Sequence, residues 1–146
     1  MTGLLSGLAS AIETMPPLLG RITDSEAARK PGPGRWSKKE ILGHLIDSAA
    51  NNHQRFVRAQ LTPHLHFPEY EQESWVAAQS YATEAWPELV TLWLALNRHL
   101  LHVLRALPDS ALQHEVSIGG KPPVALFEVA EGYLRHLNHH LSQILQ

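Results

Sequence analysis

Apolar positions recur along this chain with the 3.6-residue period of helices rather than the alternation of strands. Leu4, Leu5, Leu8, Ala11, Ile12 and Met15 mark a first amphipathic helix over 4–19, kinked or ended by Pro16-Pro17. Lys30-Pro31-Gly32-Pro33-Gly34-Arg35 is a loop. Ser37-Lys38-Lys39-Glu40 then forms a capping box, hydroxyl at the N-cap and carboxylate three residues on, and opens a second helix over 37–61. The stretch 62–82 holds Pro63, Pro68 and several aromatics and lacks helical period, apart from a short helix expected over 71–79. A third long helix is predicted over 83–107, with Leu89, Leu92, Trp93, Leu96 and Leu100 on one face and Pro87 tolerated near its start. Pro108-Asp109 ends it, 118–123 is a turn, and a fourth helix runs over 124–145. The only strand candidate is the short 115–118. These elements predict an all-α four-helix bundle, one domain over 1–146, with a long crossover between the second and third helices.

The composition fits a packed domain: 44% of its 146 residues are hydrophobic and only 18% charged, below a typical charged share of about 25%. That excludes a disordered chain and leaves room for a subunit interface, and the low charge together with the long crossover favours self-association. A formal net charge of -2 gives no basic footprint for nucleic acid. No apolar run approaches the roughly 18 residues of a membrane helix. There is no cysteine, so no disulfide and no thiolate-held metal. With no secretory leader at Met1-Thr2-Gly3, a cytoplasmic location is expected.

Ten histidines change the picture. On an ideal fourth helix with His136 at zero, Val129 falls at roughly 20°, His140 at roughly 40° and Tyr133 at roughly 60°. His140 therefore lies inside the apolar stripe and His136 at its edge, with Gln143 beside them, whereas His139 falls outside and reads as surface. Two imidazoles one turn apart can share one metal ion, or each can be a core histidine satisfied by hydrogen bonds. On the second helix, His44, Asp47, Ser48, Asn51 and Arg55 share one side, opposite Leu42, Leu45, Ile46 and Phe56. That stripe is either a solvated face or the polar lining of a cavity.

The block Trp36-Ser37-Lys38-Lys39-Glu40-Ile41-Leu42-Gly43-His44-Leu45-Ile46-Asp47-Ser48, continuing to Asn52 and Arg55-Phe56, resembles the DinB/YfiT-like superfamily of metal-binding four-helix bundles. Pro68-Glu69-Tyr70 with Trp75, and the end Tyr133 to Ile144, are similar to its YfiT-like branch. The resemblance implies a divalent metal on His44, His136 and His140. Imidazole ligands suit zinc, nickel, copper and iron alike, of which zinc or nickel is the expectation, and three of them leave positions open for water or substrate. It further implies a metal-dependent enzyme for a small molecule, either a low-molecular-weight-thiol S-transferase or a hydrolase. Asp47 would then orient His44 or a metal-bound water, or act as general base, Asn51 would hydrogen-bond substrate, and Arg55 would bind an anionic group. Against these stand a surface ion pair for Arg55, a helix-face amide for Asn51, and packing roles for Tyr133, Trp75 and Trp93. The contrasting expectation is a non-catalytic small-molecule-binding or stress-associated bundle in which the metal is structural.

Overall fold

A computed structural model describes all 146 residues. In chain order the elements are α1 (Thr2–Leu19), α2 (Asp24–Ala28), α3 (Lys38–Leu61), β1 (His64–Phe67), α4 (Gln72–Gln79), α5 (Trp86–Arg105), β2 (Glu115–Ile118), β3 (Val124–Ala125) and α6 (Leu126–Ile144). The two prolines of α1 fall in its last turn, and the helix ends at Leu19. Ser37 caps α3 as its sequence predicts: its hydroxyl accepts from the Glu40 N–H, and the Glu40 carboxylate accepts from the Ser37 N–H.

The four long helices α1, α3, α5 and α6 form the bundle, with Leu8, Leu42, Phe56, Leu89, Trp93 and Leu137 buried between them. Both α3 and α1 pack on the pair α5 and α6. Helices α1 and α3 therefore stand at opposite corners, and only the α3–α5 connection joins principal neighbours. Across the centre, the Tyr133 hydroxyl donates to Asn97 Oδ1 at 2.5 Å, which satisfies two buried polar groups at once.

Sequence periodicity did not anticipate three short elements. Helix α2 is little more than one turn, closed by its own capping box from Thr23 to Glu26. Asp24 ties it down by accepting from the Trp86 backbone N–H at 2.8 Å and pairing with the Lys39 ammonium at 2.9 Å. Strands β1 and β3 flank the expected β2 in the order β1-β2-β3, the first pair parallel and the second antiparallel. Residues 124–125, expected to begin the last helix, instead pair with β2 through Val116↔Val124 and Glu115↔Ala125. The small sheet does not change the class, a four-helix bundle. No helix is long and apolar enough to cross a membrane.

Trp93 is buried as expected, but Trp75 is not core: it is 39% exposed and its ring lies 4.7 Å from that of Tyr70. The short helix α4 buries Val76 against the bundle and leaves its neighbour Trp75 on the outer side.

Candidate metal centre

Because α3 and α6 pack together, His44 on the first faces His136 and His140 on the second. Each offers one nitrogen to a group whose ligand atoms all lie within 4.8 Å of one another. The Nε2 atoms of His44 and His136 are 2.9 Å apart, and the three ring centroids are separated by 4.8, 4.8 and 4.5 Å. His44 is fully buried, with the Trp36 ring packed 5.2 Å away. Burial, with the neighbouring imidazoles second, pushes the pKa of His44 and of His136 down to about 4. His140 is lowered too, by burial first, although its bond to Gln143 opposes this. At neutral pH the rings are uncharged and their lone pairs are free for a cation.

The outer nitrogens define which atoms face inward. His140 Nδ1 donates to Gln143 Oε1 at 2.8 Å, and Gln143 Nε2 donates to His139 Nε2 at 3.1 Å, so one amide steers two rings. His136 Nδ1 approaches Ser48 Oγ at 3.4 Å. Both arrangements leave Nε2 as the inward atom, as second partners do for metal-bound histidines. His44 Nδ1 is buried with no hydrogen-bond partner. Three neutral imidazoles, converging and with two of them oriented from behind, fit a divalent cation.

Two clefts reach these rings. One, of about 320 Å³, runs from His136 and Ser48 past Asn52 to Arg55 and Tyr70. The other, of about 600 Å³, lies on the His140 side and includes Trp36, Arg29, Arg35 and Lys38. Arg55 is half-buried, its guanidinium carbon 5.2 Å from the centre of the Phe67 ring. Its only hydrogen bond, from Nη1 to Asn52 Oδ1, is long at 3.4 Å, and its buried Nε has no partner. The nearby Glu69 carboxylate is engaged by Lys121 at 2.6 Å. Burial pushes the Arg55 pKa below the ordinary guanidinium value.

Asp47 is buried one turn beyond His44, yet it makes no hydrogen bond to an imidazole. Its Oδ1 accepts from Gln79 Nε2 and from the Tyr81 hydroxyl, both at 2.7 Å, while Oδ2 is buried and unpartnered. Burial raises the Asp47 pKa, and the two hydrogen bonds only partly offset it. Asn51 donates from Nδ2 to the Asp47 carbonyl at 2.9 Å, an amide held on its own helix, and Asn52 is the asparagine that lines the cleft.

A family model described as the DinB superfamily matches residues 8–144. The chain belongs to the DinB superfamily. Among its relatives is the Bacillus subtilis (strain 168) protein YfiT, whose name carries a proposed metal-dependent hydrolase activity. It is 24% identical over 140 residues, covering 95% of this chain and 75% of that protein. The YfiT structure, described as an unusual four-helix bundle topology, superposes with a TM-score of 0.84 at 20% identity, covering 98% of this chain and 82% of that one. A mycothiol-dependent maleylpyruvate isomerase aligns with a TM-score of 0.76 at 15% identity, over 97% of this chain but 59% of its own. A Bacillus subtilis DinB-like protein gives 0.70 at 16% identity, over 97% and 86%.

Within this DinB fold the three histidines read from the resemblance are brought together, and the polar stripe of α3 proves buried rather than solvated: His44, Asp47, Ser48 and Asn51 all lie inside. Tyr133 packs in the core, as its angular position suggested. The sequence reading left unassigned the side chains that hold this stripe, Tyr81 and Gln79. One signal pointed to them: Gly43, a glycine in a helix interior. A Cβ there would stand 2.1 Å from the Tyr81 ring, so only glycine lets that ring lie against α3 and reach Asp47.

Proposed function

We propose that this DinB-superfamily protein is a metal-dependent enzyme acting on a small anionic molecule. The ion, zinc or nickel, is held by His44, His136 and His140, and the protein is a low-molecular-weight-thiol S-transferase or a hydrolase. The observation that carries this reading is the convergence of three neutral imidazoles where a cleft ends at an arginine without a carboxylate partner. A divalent ion bound there supplies Lewis acidity, enough to polarise a carbonyl or to lower the pKa of a coordinated water or thiol.

The chain's own residues do the rest. Seven residues separate Ser48 from Arg55 on α3, about 10 Å along the axis. Arg55 thus anchors an anionic group at one end of the cleft and presents the other end of the molecule beside His136. Asp47 Oδ2, with free lone pairs and a pKa raised by burial, accepts the proton released during the reaction. Asn51 steadies the Asp47 turn through its backbone carbonyl.

Two features favour transfer over hydrolysis. A second cleft reaches His140 and carries Arg29, Arg35 and Lys38 against Glu26 and Glu73, a net positive lining that suits a second, anionic co-substrate. The chain also has no cysteine, so a thiol must come from another molecule. Within the same proposal the protein works in the cytoplasm, where low-molecular-weight thiols stay reduced, and as a homodimer.

Elemental analysis of untagged protein tests the centre. The native chain is expected to hold zinc or nickel, and His44→Ala and His140→Ala are each expected to hold one equivalent less than the native chain. Native protein that takes up neither metal overturns the reading. With a turned-over substrate in hand, Arg55→Gln raises KM for anionic substrates far more than for neutral analogues. Equal effects on both exclude the anchoring role, and bound metal without turnover by any thiol or hydrolytic substrate favours a structural ion.

A further inference from the structure

Of the seven histidines outside the centre, three form a group of their own. His53 lies nine residues beyond His44 on α3, about 13 Å along the axis and on roughly the opposite side of the helix. Its ring faces His99 on α5, with centroids 5.1 Å apart, and the His99 ring stacks on that of His102 at 6.2 Å. His53 is half-buried between the helices, and the other two are exposed. No ring nitrogen of the three hydrogen-bonds to any other group of the protein, unlike His64, His114, His136, His139 and His140.

We propose that His53 and His99, completed by His102, form a second transition-metal site on the surface of the bundle, clamping α3 to α5. A metal bonded to an imidazole nitrogen at 2.0–2.1 Å lies roughly 3.2 Å from the ring centroid. Two rings with centroids 5.1 Å apart then subtend roughly 105° at one ion, close to the tetrahedral angle. His102 follows His99 by three residues and is its neighbour on the helix surface. Being exposed, it closes on the same ion by side-chain rotation, and water fills the remaining position. An all-imidazole donor set selects zinc, nickel or copper over magnesium or calcium. Because the ligands come from two helices, the ion binds the folded bundle and not the unfolded chain, and it raises the melting temperature by mass action.

The site is independent of the central three histidines, and calorimetric titration of the full chain with zinc, after chelation and desalting, tests it. Two equivalents are expected. The second weakens by roughly 10²-fold in His99→Ala, because the remaining ligand no longer gains from intramolecular chelation. It weakens likewise in His53→Ala and persists in His44→Ala. His99 and His102 are exposed, so His99→Ala and His102→Ala serve even where His53→Ala, at the helix interface, disturbs folding. His64→Ala leaves both equivalents in place. A single equivalent in the native chain that is lost in His44→Ala overturns the proposal, as does a second equivalent that survives His99→Ala or is lost in His64→Ala.

Discussion

Gly43 and Gln143 show how individual residues set the centre without touching an ion. Gly43 matters for the side chain it lacks: the Tyr81 ring occupies the place of its Cβ and carries its hydroxyl to Asp47. Gly43→Ala improves helix propensity yet forces the ring away, so it should destabilise by about 1–3 kcal/mol. Denaturant titration would register that loss, and a neutral or stabilising result would mean the ring yields at no cost. Gln143 is exposed and adds little to the core, but it fixes the proton of His140 on Nδ1. Gln143→Ala should weaken metal binding by about tenfold while leaving the melting temperature of chelated protein unchanged. An unchanged affinity would deny it that role. His136 and His140 were legible because helical geometry and family resemblance both point them inward, whereas His44, on a stripe that periodicity leaves open, was legible only through the resemblance. Tyr81 and Gln79 were not, because their contact with Asp47 depends on a connection that lacks periodicity.

The long helices were legible because each carries many apolar positions at one period, and the Ser37–Glu40 box fixed the start of α3. Four-residue strands contain too few positions to display a period, and β1 finds its partner β2 only 51 residues later. Helix α2 has the same difficulty, although its capping box is written plainly in Thr23-Asp24-Ser25-Glu26. What secures α2 is Asp24. The Trp86 backbone N–H, and then the Lys39 ammonium, hold its carboxyl below the usual carboxylate range. A carboxyl with a lowered pKa in the folded state stabilises the fold above its unfolded value of about 4. That contribution fades as pH falls from there through the folded value. Asp24→Asn should therefore melt below native protein at pH 7, with the difference narrowing by about pH 3. A constant gap across this range would place the origin of the effect elsewhere.

At the scale of the whole molecule the low charge and exposed apolar side chains, Leu92 and Leu145 among them, bear on association. A homodimer is the expected species in sedimentation at tens of micromolar protein, and a monomer there would refute it. The corner arrangement of the helices carries a consequence for how the chain finds its fold. Since α1 stands diagonal to α3, and α5 and α6 are likewise not principal neighbours, neither end of the sequence can begin as a local helical hairpin. The closures that dock α1 on α5, and α6 on α3, each span most of a domain's length, and their entropy must be met before packing rewards it. Folding should thus start from the α3–α5 pair and proceed more slowly than in bundles whose successive helices are adjacent. Mutations at the α3–α5 contact should slow refolding, while those on the docking faces of α1 and α6 should mainly hasten unfolding.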